Sequence, residues 1–376
     1  MLKRVGILTG GGDCPGLNPA IKAVVKRVTD AEMADKRGFE WEVVGIRDGW
    51  KGLVKYDPRY PVLPPRMDFG PNSYARVLVE SEVTRWDREG GTRLGSSRTN
   101  PFKAGKETWP QVVENVKLLG LEALVAIGGE DTLGIASKLA DKGVNVVCIP
   151  KTIDGDLQGT DYTLGLETAV NVVVEEVDRL RSTAQSHSRL FVVETMGRYT
   201  GHLALAGGLA AGAPVILIPE VPFDVATVVE ILKARKEQGH RYSIVVVAEG
   251  AKAAGGERAE KAAVSSDGFE HPTLGGIGKT LEKMLEKGTG MEVRSVQLSH
   301  LQRGGAPCAF DRRMGRLFGI AAGDLLDRGQ YGRMVVYRDG KIASIAIPKD
   351  LKEVKKVDVE ALYDRQRFGA KLTVLE

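Results

Sequence analysis

Short apolar runs rich in Val, Ile and Leu recur along the chain, each closed by glycine or proline and followed by a stretch of helical periodicity. "RVGILT" (Arg4–Thr9) predicts a buried strand. Behind it, "GGGDCPGLNPAIKAVVKRV" predicts a glycine loop and a helix starting near Pro15, since proline is tolerated in the first helical turn. "ALVAIGG" (Ala123–Gly129) predicts a second strand, with "DTLGIASKLADKG" as its helix. "VNVVCIP" (Val144–Pro150), "RLFVVET" (Arg189–Thr195), "PVILIP" (Pro214–Pro219) and "YSIVVVAEG" (Tyr242–Gly250) continue the pattern. Strands that are apolar throughout, alternating with helices, belong to a parallel sheet covered on both faces. The fold class expected is α/β. At 376 residues the chain suits two doubly wound parallel-sheet domains sharing a cleft. Ligands in such folds bind beyond the carboxyl ends of the strands, so the polar loops there are the places to search. One stretch breaks the rhythm: "AKAAGGERAEKAAVSSDGFEHPTLGG" (Ala251–Gly276) is small, polar and glycine-rich, and reads as a surface excursion.

Composition narrows the function classes. With 43% hydrophobic and 27% charged residues the chain is of the ordinary soluble globular kind. Its net charge is only +4 and the two signs are interspersed, which gives no nucleic-acid stripe. No apolar run approaches the roughly 20 residues of a membrane span. Cys14, Cys148 and Cys308 are far apart and form no CxxC pair, so neither a disulfide framework nor a zinc site is expected, and a reducing cytoplasmic location fits. "MLKRVGILTGGGD" enters a strand at once and leaves no room for a signal peptide.

The loops carry the candidate chemistry. In "TGGGDCPGLN" (Thr9–Asn18), Gly10, Gly11 and Gly12 let backbone approach a ligand, and the helix behind offers free N–H groups to an anion. The same residues also suit a plain strand–helix turn, and the pattern is not GxGxxG. "PKTIDGDLQGTDYT" (Pro150–Thr163) sets Asp154 and Asp156 around Gly155, with Lys151 just before. A carboxylate pair in a cleft can divide proton transfer and positioning, or metal binding, between its members, whereas Asp beside Gly is also common in solvated turns. Arg189, Arg198, Arg294 and Arg303 offer planar forks for phosphate, and Arg198 and Arg303 stand in glycine-bearing loops after strands. His300 reads as a ligand contact and not a base. "GGTRLGSSRTNP" puts Arg93 and Arg98 in a glycine frame that suits a moving phosphate clamp. In "AIGGEDTLG" (Ala126–Gly134) Glu130 and Asp131 follow two glycines. Carboxylates at that place either reach a phosphate through a hard cation such as Mg²⁺, or favour the dipole of the helix they begin, or do both.

Taken together, "GILTGGGDCPGLN", "IGGEDTLG", "PKTIDGD", "GTDYTLGLETA", "VVETMGRYTGHLAL" and "SHLQRGGAPCAFDR" resemble the phosphofructokinase family, in the family's order and across roughly Leu2 to Arg333. The resemblance implies phosphoryl transfer to the 1-hydroxyl of fructose 6-phosphate. Asp131 and Lys151 stand where pyrophosphate-using members carry Asp and Lys and ATP-using members typically carry glycine. It further implies Asp154 as general base, with Asp156 and Glu130 positioning Mg²⁺ or the transferring group, and Thr152 hydrogen-bonding near the reacting phosphate. Gly11 and Gly12 would cradle the donor, with Arg98 on its phosphate. Met196, Gly197 and Arg198 would line the sugar–phosphate site, Glu249 would hold sugar hydroxyls, and His300 and Arg303 would bind the 6-phosphate. Arg189 and Arg294 would come from a neighbouring subunit, in a homodimer or homotetramer. The implied units are a donor domain (1–165 plus 302–350) and a sugar domain (166–301 plus 351–376). Two departures stand out: Gly155 replaces the usual Asn of TIDND, and Glu130 stands where many members have Asp. An ATP-dependent enzyme, a silent sugar-phosphate-binding subunit and another acceptor such as sedoheptulose 7-phosphate remain alternatives.

Overall fold

The computed structural model describes residues 1–255, 260–261, 273–274, 276–351, 353–373 and 375. Most of the Ala251–Gly276 excursion lies outside the described residues. The first part of the chain runs β1 (Leu2–Thr9), α1 (Leu17–Val28), α2 (Ala31–Arg37), β2 (Glu40–Ile46), α3 (Trp50–Lys55), β3 (Ala75–Leu78), α4 (Glu80–Val83), α5 (Trp109–Leu118), β4 (Leu121–Gly128), α6 (Glu130–Ala140), β5 (Val146–Pro150) and α7 (Leu166–His187). It continues as β6 (Leu190–Thr195), α8 (His202–Ala210), β7 (Val215–Leu217), α9 (Val225–Glu237), β8 (Ser243–Ala248), β9 (Glu260–Lys261), β10 (Thr273–Leu274), α10 (Ile277–Thr289) and β11 (Val293–Gln297). It ends with α11 (Ala309–Asp327), β12 (Arg333–Arg338), β13 (Lys341–Ala346), α12 (Val359–Leu362), β14 (Tyr363–Asp364) and β15 (Gly369–Ala370). No helix among the described residues is long and apolar enough to cross a membrane.

The larger sheet has the order β13-β12-β5-β4-β1-β2-β3 and the smaller the order β11-β6-β8-β7. The smaller sheet is parallel throughout. The larger is parallel only in its middle, for β3 runs antiparallel to β2 and β13 antiparallel to β12. The edges thus depart from the parallel expectation: β13 returns from β12 through a short turn, whereas β3 is reached only after the 47–74 connection that contains α3. Asp339 and Gly340, both at positive φ, close the β12–β13 hairpin.

Uninterrupted apolar strands are what a sheet with two covered faces demands. Along β4, Ala123, Val125 and Ile127 enter one core with α1 and α11, while Leu124 and Ala126 enter another with α5 and α6. The first core continues into the smaller sheet through Val192, Val193, Val245 and Val246. Helices α1 and α11 pack at backbone distance. A Cβ on Gly319 would lie 2.5 Å from that of Ala23, and one on Gly315 2.8 Å from that of Pro19. On the same α11 stripe, Asp311 is fully buried. Its carboxylate accepts from Tyr162 Oη (2.7 Å), the Gly165 amide (2.6 Å), and the Thr168 amide and hydroxyl (2.9 and 2.6 Å). It thereby ties α11 to the start of α7.

Candidate active site

The loops after β1, β4 and β5 meet at the carboxyl edge of the larger sheet because parallel strands deliver their ends side by side. Thr132 sets the distance between the first two. A Cβ on Gly10 would lie 2.5 Å from its hydroxyl and one on Gly128 2.7 Å from it. Gly11 has φ +78, and its amide donates to Ser97 O at 3.0 Å while Ser96 Oγ donates to Gly11 O at 2.5 Å. Thr9 Oγ1 bonds Thr92 Oγ1 and Gly95 O, and Asn18 Nδ2 donates to Glu89 O and Gly90 O. The 90–99 segment is therefore pinned to the glycine loop. The glycines of this segment serve close packing: a Cβ on Gly95 would meet Asp48 Oδ1 at 2.5 Å.

Two cations face this loop. Lys151 is 3% exposed and its ammonium donates to Gly12 O. Burial, and then the charge of Arg303, push its basicity below that of a free lysine, opposed by Cys14, Asp154 and Asp13. Arg303 Nη1 donates to Asp13 O at 3.1 Å, and a Cβ on Gly12 would meet Arg303 Cζ at 2.8 Å. The guanidinium thus lies over the glycine loop, whereas the resemblance places it with His300 at the sugar 6-phosphate.

Carboxylates share the same pocket. Glu130, Asp131, Asp154 and Asp156 line it together with Gly11, Gly12, Arg98, Lys151, Thr152, Arg198 and Arg303. Glu130 and Asp131 also form the first turn of α6, as the dipole reading has it. The catalytic-loop backbone is tied internally, with the Asp154 amide donating to Thr152 Oγ1 at 3.1 Å and Thr163 Oγ1 donating to Thr152 O at 2.7 Å. Asp154 Oδ1 is buried with no hydrogen-bond partner. Burial raises Asp156 well above the usual carboxylate range, reinforced by the charges of Asp154 and Glu130. Arg198 stands opposite at φ +43, a rare conformation for a non-glycine residue, with its guanidinium 3.9 Å from Glu130 Oε1. Its amide donates to Glu249 Oε1 at 3.2 Å. Burial, then the charge of Asp154, push the Glu249 carboxyl up to about 7. Among the described residues no group of three or more His, Cys, Asp or Glu is arranged to hold a metal alone.

The remaining expected residues lie around or away from this pocket. Met196 and Gly197 form the turn before Arg198, where the Met196 amide donates to Gln302 Oε1 at 3.3 Å and Gly197 takes φ +137. His300 is exposed on the short Ser299–Arg303 helix, its Nδ1 3.1 Å from Ser299 Oγ. Arg189 and Arg294 bracket Glu292 at 2.7 and 2.5 Å on the outer edge of the smaller sheet, apart from the pocket. Sequence reasoning missed Trp50, Ser97, Thr99, Thr132 and Ile135 in the lining. It also missed the fully buried Gln302, which joins the QRGG turn to the Met196 turn. Only Gln302 carried a signal, as a polar residue inside a glycine-flanked motif.

A glycine loop and buried cations beside a set of carboxylates in one pocket suit a phosphoryl-transferring α/β protein. The chain belongs to the phosphofructokinase family, whose model, described as Phosphofructokinase, matches residues 4–326. It is 45% identical over 367 residues to the pyrophosphate–fructose 6-phosphate 1-phosphotransferase of Amycolatopsis methanolica, covering 97% of this chain and 99% of that one. It is 41% identical to an ATP-dependent 6-phosphofructokinase of Chloroflexus aurantiacus, covering 94% and 93%. A pyrophosphate-dependent phosphofructokinase structure from Marinobacter aquaeolei shares the fold at TM-score 0.76 and 22% identity, over 98% of this chain and 89% of that one.

Proposed function

We propose that the chain reversibly transfers a phosphoryl group from inorganic pyrophosphate to the 1-hydroxyl of fructose 6-phosphate, giving fructose 1,6-bisphosphate and phosphate. The observation that carries this is the presence of Asp131 and Lys151 in one pocket with the glycine loop. Lys151 is a buried point charge held against Gly12, suited to a compact anion with no nucleoside handle. Asp131 opposes the α-phosphate that a nucleotide would bring. Charges at contact distance in a partly dry site interact by roughly a few kcal/mol. Relatives bear both donor names, the pyrophosphate one at 45% identity and the ATP one at 41%, and the pocket's charges support the former reading.

Each residue's part follows from its placement. Asp154, with one carboxylate oxygen unpartnered, takes the proton of the attacking 1-hydroxyl. With no cation beside it, burial and the charges of Asp154 and Glu130 hold Asp156 toward its protonated form, and a cation bound there would favour the carboxylate instead. Thr152 fixes the Asp154 backbone. Gly11, Gly12, Arg98 and Lys151 receive the donor, and Met196, Gly197, Arg198 and Glu249 receive the sugar. Arg303 rests in the donor pocket, so its use by the 6-phosphate beside His300 requires the guanidinium to leave Gly12. Residues 1–165 plus 302–350 form the donor unit and 166–301 plus 351–376 the sugar unit. Arg189 and Arg294, at the edge of the smaller sheet, would complete a neighbour's sugar site in a homodimer or homotetramer.

The donor set suits Mg²⁺, which keeps several waters and takes one or two carboxylates plus phosphate oxygens. Glu130 and Asp156 would hold it, and the buried Asp154 oxygen without a hydrogen-bond partner is compatible with a cation nearby. Bound there, the ion would neutralise charge on the pyrophosphate oxygens. An assay of fructose 6-phosphate with Mg²⁺ and either pyrophosphate or ATP tests the proposal. Turnover with pyrophosphate, in both directions, is expected. Turnover with ATP alone would overturn it, and titratable sugar phosphate without turnover would point to a silent binding subunit.

A further inference from the structure

The segment between β13 and α12 crosses from the donor unit to the sugar unit behind the catalytic loop, and it is bonded to both. The Lys355 amide donates to Asp156 O at 2.7 Å, and the Lys355 ammonium donates to Thr160 O at 3.0 Å. On the sugar side, His202 Nε2 lies 2.9 Å from Lys355 O. A ring nitrogen facing a carbonyl oxygen must carry the proton, so Nε2 donates. Glu220 Oε1 fastens the same crossing by accepting from the amides of Gly201 and Val357 at 3.1 and 3.0 Å.

His202 also touches the catalytic loop directly. It opens α8, immediately after the turn that carries Arg198 and Thr200, and Thr200 Oγ1 donates to Asp154 O at 3.4 Å. Gly155, between the two catalytic-loop aspartates, has φ +68, and a Cβ there would lie 3.3 Å from His202 Cβ and 3.1 Å from Leu166 Cδ2. The residue that departs from the TIDND pattern is therefore the one that His202 packs against.

We propose that His202 is a positioning residue for phosphoryl transfer: through the Lys355 carbonyl and its contact with Gly155 it holds the Asp154–Asp156 loop in register with the Arg198 turn. The loop lacks the side chain that Asn would supply, and His202 packs from the sugar unit beside the bare Gly155 backbone. The proposal rests on the assignment of Asp154 and Asp156 to catalysis. It concerns alignment of the reacting groups and not the binding of either substrate. Its signature is a fall in kcat at nearly constant KM.

The test compares two amides of different reach. Gln places its Nε2 where the imidazole Nε2 lies, whereas Asn is too short to reach the Lys355 carbonyl. His202→Asn is expected to lower kcat by about 10-fold or more with KM for both substrates within about 2-fold, and His202→Gln to stay within about 2-fold of wild type, since misplacement of a catalytic group by about 1 Å is costly. Hydrogen exchange at the Lys355 and Val357 amides should quicken in His202→Asn and not in His202→Gln. The two variants should unfold at similar temperatures. Equal kcat in the two variants, or exchange that does not separate them, would overturn the proposal. Kinetics are run with whichever donor the wild-type chain uses, so wild-type failure with pyrophosphate counts against the donor assignment. The exchange measurement tests His202 without turnover.

Discussion

Replacing Glu249 by glutamine should stabilise the protein, and by an amount that depends on pH. Glu249 follows β8 with Oε1 accepting the Arg198 amide. Burial, then repulsion from Asp154, move its carboxyl from 4.5 to about 7, against the opposing pull of Arg198. That displacement corresponds to about 3 kcal/mol in favour of the protonated form. The folded chain keeps a proton that the unfolded chain releases above 4.5. The stability this contributes is complete below 4.5 and is lost as pH rises through about 7. Glutamine mimics the protonated side chain at every pH. Glu249→Gln should therefore match wild type near pH 4.5 and exceed it by up to about 3 kcal/mol near pH 8.5. Urea unfolding at both pH values measures the difference. A gap that does not widen with pH, or a less stable variant at pH 8.5, would refute the reasoning. The gain should carry a functional cost, because an uncharged amide holds sugar hydroxyls less strongly than a carboxylate. KM for fructose 6-phosphate should rise in the more stable protein.

Asp154→Ser should depress turnover by roughly two or more orders of magnitude while calorimetry still finds sugar phosphate binding; surviving turnover would remove Asp154 as the base. Asp131→Gly with Lys151→Gly should move donor use from pyrophosphate toward ATP, read as the ratio of kcat/KM for the two donors. An unchanged ratio would mean that donor choice lies elsewhere in the pocket.

Where the sequence was legible, a local rule and the tertiary demand coincided. Continuous apolar runs marked β1, β4, β5, β6 and β8, since β1, β4 and β5 feed two cores and β6 and β8 are buried throughout, and glycine after β1 and β4 marked loops that line the pocket. The edge strand β13 escaped because it follows β12 through a hairpin turn, and β3 because it is only 4 residues long. Arg303 was legible as a pocket arginine but not in its direction, since a long side chain can turn either way from its loop and here turns to Asp13 O. Asp311 was findable. It falls on the 3.6-residue stripe of Met314, Gly315, Phe318 and Gly319, and a carboxylate on a buried stripe needs partners. Those partners, at Tyr162, Gly165 and Thr168, lie more than a hundred residues away and could not be named from the chain alone. His202 shows the same limit, for nothing in "GRYTGHLAL" points to the Lys355 carbonyl.

Glu130 and Asp131 pose the sharpest question in the sequence, because carboxylates follow a loop built for anions. The pocket answers it by separating charge instead of accumulating it. Its basic side chains are Arg98, Lys151, Arg198 and Arg303, and its acidic ones Glu130, Asp131, Asp154 and Asp156. The formal balance is even. Such a pocket does not draw in polyanions by bulk field. Selection must come from position: Lys151 and Arg303 lie against the glycine loop at Gly12 O and Asp13 O, while Glu130 and Asp131 begin α6. On the proposed reading, a two-phosphate donor can lodge wholly on the cationic side, whereas a longer phosphate chain must run toward Asp131. Uniformly basic lining would bind ATP and pyrophosphate alike. On that reading the carboxylates at the head of α6 are what make donor length matter.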